Sequence, residues 1–504
     1  MIPLLYPLSF LAAVISLSLW FYFQKNRGLS LLLRAVFFTA LAVYLVSVVL
    51  HAGAWSAKWS LLFRDLAIMA VAPSLLSILR NRSWLFFAML GAGILSMIFG
   101  WNRFSQKLTA SVPEGEWELL LELKEGSELD RLNELTKQYG LHYERAFFPG
   151  KPSNTDLDDF YLVEIPQAKE DQMAAISAAF LKNAAVDDVE KNDLVQVAPI
   201  TELPARKNPG KEYGINDPGI QYLWGFDQMN VAGLYSLYRE TKAKPVKKPL
   251  IAILDTGVDG THEDLKANFR STNGKYNKDK VGHGTHCAGI AASVSNNSLG
   301  IASFSPGAGF LTVTSIKVLN DYGAGTQAGI IKGMIEAADL GADVISMSLG
   351  GRSDDSKQNA YQKAVEYANK AGAIVVVAAG NDGAYARNIS PANTPGVIAV
   401  SAIDTLLHRA NFSNRIAGLT MAVAAPGVNI YSTVPGNKYK SFNGTSMATP
   451  YVAGLVGVMK AYKPALTTQE VFDILKKTGI PTHTPEETGP FIQPGKALAE
   501  LLGI

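Results

Sequence analysis

The sequence predicts three parts in series: an all-α membrane bundle, a small α+β domain, and a larger α/β domain built on a largely parallel sheet with helices on both faces. Three observations carry this. Residues 1–101 hold seven basic residues, one acidic residue and five of the seven tryptophans, whereas the rest of the chain holds 39 basic and 43 acidic residues. Residues 116–197 order their apolar runs as strand, helix, strand, strand, helix, strand. From Leu250 onward, short β-branched runs alternate with helical stretches, the pattern of a sheet buried on both faces.

The 504-residue chain is 48% hydrophobic and 18% charged, and its net charge of +2 sums two unlike parts. A single soluble domain and a disordered chain are excluded, and no basic surface argues for nucleic acid. The one cysteine, Cys287, excludes an intrachain disulfide and any multi-cysteine metal site.

Ile2 to Phe23 carries no charge, and about 22 residues at about 1.5 Å each cross a hydrocarbon core of about 30 Å. Leu29 to Leu50 gives a second span, with Arg34 placed to snorkel, and Ser83 to Trp101 gives another. Ser60 to Leu79 is interrupted by Arg64-Asp65, and reads as a span with a paired Arg64 and Asp65 or as a re-entrant segment. Trp20, Trp55, Trp59, Trp84 and Trp101 fall near segment ends, where an indole sits half in water. A cleavable signal peptide lacks its basic n-region here, so a retained anchor is expected. The expectation is a multi-pass region of about four helices over residues 1–105, with the lipid bilayer as partner. Loop charges of Lys25, Arg27, Arg80 and Arg82 against Lys58, Arg103 and Lys107 put both chain ends outside the cytoplasm.

Residues 114–198 read as a compact domain. Trp117 to Leu123 is a strand; Ser127 to Tyr139 is a helix opened by a Ser cap; strands at His142–Phe148 and Phe160–Ile165 follow, then a helix over Glu170–Lys182 and a strand near Val186–Val197. Two strand-helix-strand halves of this size give a ferredoxin-like arrangement, which by itself assigns no function. Residues 199–215 contain Pro199, Pro204, Pro209 and Gly210 among basic residues and read as an exposed linker open to nicking. A second basic stretch, Lys242 to Pro249, reads as a solvated surface insertion rather than a partner site.

In the α/β part, strands at Leu250–Leu254, Leu311–Val318, Ala342–Met347, Ala373–Val377 and Val397–Val400 alternate with helices such as Gln327–Leu340 and Asn359–Ala371. Active sites of such sheets lie at the carboxyl ends of the strands. Three motifs fall there. Ile251 to Gly257 ends a strand in Asp255; His283 to Gly289 puts an imidazole at a helix start; Gly444 to Pro450 puts Ser446 at the start of a helix over Tyr451–Tyr462. A serine hydroxyl attacks only when a base takes its proton, and the base needs a carboxylate to fix its tautomer. Asp255, His283 and Ser446 supply those groups, although each motif alone also fits a turn, a partial metal site or a common Gly-x-Ser.

Together the motifs resemble the subtilisin-like serine proteases, or subtilases, over about residues 213–504. The resemblance implies a subtilisin-like sheet, peptide-bond hydrolysis, and the roles of orienting carboxylate for Asp255, general base for His283 and nucleophile for Ser446. Ala378-Ala379-Gly380-Asn381 matches the segment whose asparagine donates to the oxyanion. Ser348-Leu349-Gly350 matches the edge on which an extended peptide adds as a strand, and with Ala378, Ala379 and Gly380 it would line a roomy apolar specificity pocket. Asp264 and Asn297 match side-chain ligands of a calcium loop, with one apparent extra residue leaving Asn296 or Asn297 open. A catalytic Cys287 and a zinc site of His283 with His286 are disfavoured, the latter for want of metalloprotease spacing. Residues 114–198 then resemble an inhibitory pro-domain and residues 216–504 the catalytic domain. The linker would be cut by Ser446 itself, with release of the mature enzyme a possible consequence. The rival reading is a catalytically silent module with the membrane region as sensor or scaffold; a non-peptide acyl hydrolase lacks its G-x-S-x-G elbow.

Overall fold

The computed structural model describes residues 2–50, 62, 65–66, 68–69, 82, 84–91, 117–197, 202–203, 213–353 and 358–504. It divides into two compact units, Met1–Val112 and Pro113–Ile504.

In the first unit, helices Ile2–Tyr22 and Arg27–Leu50 are joined by a short turn, and Asn26 Oδ1 accepts the Leu29 N–H at the start of the second. Arg34 lies over the Trp20 ring at 4.6 Å. Among the described residues, one helical stretch, Arg27–Ser47, is long and apolar enough by length and composition to cross a membrane, and Ser9–Tyr22 is a shorter apolar stretch. This is less than the expected four spans. The expected segments at 60–79 and 83–101 fall largely outside the described residues. Asp65, fully buried, accepts a hydrogen bond from Tyr44 Oη.

The second unit begins with a four-stranded antiparallel sheet in the order β2-β3-β1-β4, formed by β1 (Leu119–Leu123), β2 (His142–Arg145), β3 (Phe160–Glu164) and β4 (Val186–Lys191). β1 is apolar except at Glu122, and all five of its residues are buried. Leu119, Leu121 and Leu123 pack on Ile176 and Phe180 within this domain. Leu120 turns the other way and joins Phe147, Phe160 and Leu162 against Ile331, Met334, Tyr361 and Ala364 of the α/β domain. The helices are shorter than expected. No Ser127 cap forms, and the chain makes a 3₁₀ turn over Leu129–Leu132 before the helix Asn133–Tyr139, which Gly140 closes at φ 72°. Likewise a 3₁₀ turn over Gln167–Gln172 precedes the helix Met173–Phe180. β5 (Leu194–Gln196) and β6 (Glu202–Leu203) follow.

The α/β domain is built on a six-stranded, wholly parallel sheet in the order β15-β14-β12-β10-β7-β8. Its strands are β7 (Leu250–Asp255), β8 (Thr312–Lys317), β10 (Val344–Met347), β12 (Ile374–Ala378), β14 (Val397–Ile403) and β15 (Ala422–Pro426). Alternation along β7 splits the core: Ile251 and Ile253 face the helices His283–Ala292 and Thr445–Tyr462, while Ala252 and Leu254 face Gln327–Asp339 and Asn359–Lys370. Short strands complete the rim. β9 (Ala324–Thr326) pairs with β5, β11 (Gly351–Arg352) pairs with β13 (Ile389–Ser390), and the hairpin β16 (Ile430–Val434) and β17 (Lys438–Phe442) pairs with β6.

The helix bearing Ser446 starts at Thr445, not at Tyr451, and Pro450 lies inside it. The proline has no N–H to give the carbonyl four residues back. That carbonyl belongs to Ser446.

Candidate active site

Asp255 is the last residue of β7 and is wholly buried. One of its oxygens accepts the Thr256 N–H at 2.7 Å, and both lie within 2.9 Å of His283 Nδ1. His283 opens the helix His283–Ala292 from a Gly282 at φ 88°. Asp279 holds that helix end: it accepts from the N–H groups of Val281, Gly282 and Thr285 and from the hydroxyls of Thr256 and Thr285. A carboxylate there satisfies orphan donors and favours the positive end of the helix dipole. Burial works against the imidazolium of His283, but the neighbouring Asp255 carboxylate more than offsets it, and the pKa is raised above the ordinary histidine value.

Ser446 is the second residue of its helix. Its Oγ donates to the Ser348 carbonyl at 3.1 Å, and the carbonyl left free by Pro450 accepts from Ser348 Oγ at 2.8 Å and from Cys287 Sγ at 3.4 Å. Serine and substrate-edge residue thus clasp each other. Asn381 is anchored through Oδ1, which accepts from the Thr445 N–H at 2.8 Å and the Thr445 hydroxyl at 3.1 Å. This leaves its amide N–H₂ for the cleft. Gly380 sits at φ 97°, and a Cβ there would meet Asn414 Nδ2 at 2.4 Å. Asn414 in turn donates to Ala379 O and accepts from the N–H groups of Asp382 and Ala384.

Cys287 Sγ, His283 and Asp255 lie within 4.8 Å of one another. Burial, with Asp255 nearby, holds the thiol well above its ordinary pKa, so it stays protonated and donates to Ser446 O. His286 is not brought to His283 as a ligand partner. Its Nε2 pairs with Lys440 O at 3.0 Å, its ring stacks on Phe442, and burial pushes its pKa down to about 3.

A cavity of about 360 Å³ opens beside Ser446, lined by Ser348, Leu349, Gly350, Ala378, Gly380 and Asn381 among others. Ala379, expected with them, is fully buried behind the wall, its carbonyl taken by Asn414. Ile389 and Phe412 add apolar surface, and Gln196 and Val197 of the preceding domain also face the cavity. β5 pairs antiparallel with β9; the Gln196 N–H reaches Gly350 O at 3.3 Å and the Val197 N–H reaches Gly323 O at 2.9 Å. Five residues after Val197, β6 begins its pairing with β17, Glu202 opposite Phe442 and Leu203 opposite Ser441. The chain is therefore held on both flanks of residues 198–201.

A second cluster of oxygens lies in the loop after the His283 helix. Asp264 accepts from Asn297 Nδ2 at 2.8 Å and from the Ile301 N–H at 2.7 Å. Asp217 accepts from the N–H groups of Asn296 and Asn297. Asn297, not Asn296, therefore turns its side chain to Asp264. Burial raises the pKa of Asp217 and pushes Asp264 up to about 7, with Asp217 adding to the effect on Asp264. Neither carboxylate has a basic side chain in ion-pair range among the described residues. Two buried carboxylates without a counter-cation fit a hard, oxygen-loving ion, although Asn297 turns its amide nitrogen to Asp264 and its oxygen accepts the Leu299 N–H.

Asp217, Asp279 and Asn414 were missed in the sequence. Asp279 had a signal, a carboxylate three residues before the glycine that starts a helix; the hydrogen bonds of Asp217 span 79 and 80 residues and those of Asn414 span 30 to 35, where spacing is silent.

The fold and this cleft define a serine endopeptidase. Comparison with known proteins agrees: residues 246–492 match the model described as the subtilase family. The chain is 42% identical to subtilisin DY of Bacillus licheniformis over 235 residues, covering 45% of this chain and 82% of that protein. It is 46% identical to thermitase of Thermoactinomyces vulgaris over 214 residues, covering 42% and 74%. A solved protease of Pseudoalteromonas arctica PAMC 21717 superposes with TM-score 0.50 at 28% identity, over 57% of this chain and 99% of that one. The chain belongs to the subtilase family.

Proposed function

We propose that this protease acts through Asp255, His283 and Ser446, is made as a membrane-tethered precursor, and cuts its own linker. The observation that carries the first part is the buried Asp255–His283 pair, joined to Ser446 through Cys287, whose thiol lies within 4.8 Å of both and donates to Ser446 O. Asp255 fixes the tautomer with hydrogen on Nδ1, leaving Nε2 to take the Ser446 proton as Oγ adds to the substrate carbonyl. Asn381 Nδ2 and the Ser446 N–H donate to the resulting oxyanion. His283 then gives its proton to the leaving nitrogen, and water reverses the sequence on the acyl-enzyme. The substrate is an extended polypeptide, paired on Gly323–Thr326 and Ser348–Gly350 as β5 is now.

Residues 114–198 would be the inhibitory pro-domain, a reading supported by the βαββαβ order, the β2-β3-β1-β4 sheet and the seat of its tail against the cleft. Pairing on both flanks narrows the predicted cut to between Val197 and Glu202. The apolar helices of the first unit support an anchor, multi-pass in our reading, with the protease outside the cytoplasm. Asp217, Asp264 and Asn297 would hold a structural calcium. In a host free of other proteases, Ser446→Ala should accumulate as full-length, membrane-associated chain, and the native chain should be labelled at Ser446 by a fluorophosphonate. Absence of label in folded, mature protein would favour the silent module; normal processing of Ser446→Ala would end the self-cutting proposal.

A further inference from the structure

The Lys242–Pro249 insertion is not loose in solution. The Val246 and Lys247 N–H groups both bond to Ala461 O, at 2.8 and 3.2 Å, and Lys247 Nζ pairs with Asp343 at 2.6 Å. The loop is thereby fixed against the last turn of the Ser446 helix, and with the 306–310 loop it bounds a cavity of about 550 Å³. Phe310 packs between Tyr238 and Tyr462. Held in this way, the loop presents Val246, 70% exposed, at its tip. Lys242, Lys244 and Lys248 are exposed along it, and Lys463 is exposed next to the helix end. None of these four lysines has a carboxylate in ion-pair range among the described residues. Glu240 and Glu470 are the nearest exposed acids in sequence; Glu470 is bonded to Thr467 and lies near enough to Lys463 to feel its charge without forming an ion pair. The face is a local exception, since the chain beyond residue 101 is net acidic.

Its position is set by the helix that carries the nucleophile. Ser446 lies at one end of an 18-residue helix and Lys463 just beyond the other, so about 27 Å of helix separates cleft from lysines. The loop also enters β7 at its amino end, whereas the catalytic groups lie at the carboxyl ends. We propose that this face is a foot by which the protease domain rests on an anionic bilayer. A fixed apolar tip ringed by unpaired lysines is the composition of an interfacial contact. An anchor in the same chain supplies the bilayer at high local concentration, and docking at this end turns the cleft away from the lipid. The inference rests on the membrane tether proposed above.

The test uses the full chain carrying Ser446→Ala, in nanodiscs of phosphatidylcholine with or without phosphatidylglycerol. A fluorophore is attached at Val246→Cys, or at Leu406→Cys beyond the carboxyl end of β14 as a cleft-end control; the native Cys287 is buried. Nitroxide on the lipid headgroups should quench the label at position 246, and not that at 406, only in phosphatidylglycerol discs. Each lysine neutralised to Gln among Lys242, Lys244, Lys248 and Lys463 should weaken the docked state on the order of fivefold, and high salt should abolish it. Equal quenching at both positions, or equal quenching in both lipids, overturns the foot. So does a label that responds to dissolved dextran sulfate but not to lipid, which would make the face a polyanion site. Co-flotation reads the tether separately, and a chain that fails to float removes tether and foot together.

Discussion

The contact between the small α+β domain and the protease rests on a buried ion pair whose removal should loosen the whole domain. Glu122, on the middle strand β1, is 2% exposed; its oxygens accept from Lys363 Nζ at 2.5 Å and Asn359 Nδ2 at 2.5 Å. Burial raises the Glu122 pKa despite Lys363, so its ionised form depends on these two partners. Lys363→Ala leaves a buried carboxylate with one neutral donor, and breaking such a pair costs about 3–5 kcal/mol. Lys363 is 19% exposed and its second partner, Asp156, is open to solvent, so the lower figure applies. At about 1.4 kcal/mol per decade, the Leu119–Leu123 amides of full-length Ser446→Ala should then exchange with solvent deuterium on the order of a hundredfold faster. The double change Glu122→Leu with Lys363→Met should recover most of the protection, because well-packed apolar replacements avoid the stranded charge. Acceleration below about fivefold in Lys363→Ala, or no recovery in the double variant, would refute the reasoning.

Other outcomes follow from the same geometry. Asn381→Leu should lower kcat by about 10²- to 10³-fold with little change in KM, a magnitude measured on a subtilisin and so carried over from a relative. The raised His283 pKa places the acid limb of kcat/KM above the pH of an ordinary imidazole, because the base must be neutral; Asp255→Asn should move that limb down while reducing the rate. Glu190, buried and accepting the Ala360 N–H, is pushed up to about 8 by burial. The docked domain therefore binds a proton that the undocked glutamate, near 4.5, releases. Docking should be strongest below about pH 4.5 and weaken as pH rises through 8, and Glu190→Gln should flatten that dependence in the exchange assay. Calcium at about a hundredfold excess over its Kd should stabilise the chain by about 2.7 kcal/mol in thermal melts, and Asp217→Asn should abolish the increment.

Much of this was legible in the sequence where local pattern and burial agree. The parallel sheet was visible because β7, β12 and β14 are apolar on both faces, and the strand-helix order of residues 117–196 survived even where Ser127 failed to cap. The start of the Ser446 helix was not legible, because Pro450 reads as a boundary, yet here the missing N–H is the reason the helix can serve the site. Asp217 and Asn414 were invisible for another reason: their partners lie in other segments, and only the fold makes them neighbours. Of the membrane region, composition marked four apolar segments, and among the described residues Arg27–Ser47 alone is a helix long and apolar enough to span, the segments at 60–79 and 83–101 falling largely outside them.

The reciprocal bonds between Ser446 and Ser348 carry a consequence for timing. They persist while β5 lies on the same edge: the Gln196 N–H takes Gly350 O, and Ser348 O is left to the serine hydroxyl. Pairing on the edge and release of the nucleophile thus use different carbonyls two residues apart. A chain seated there does not by itself unlock the serine, which is what an inhibitory tail requires.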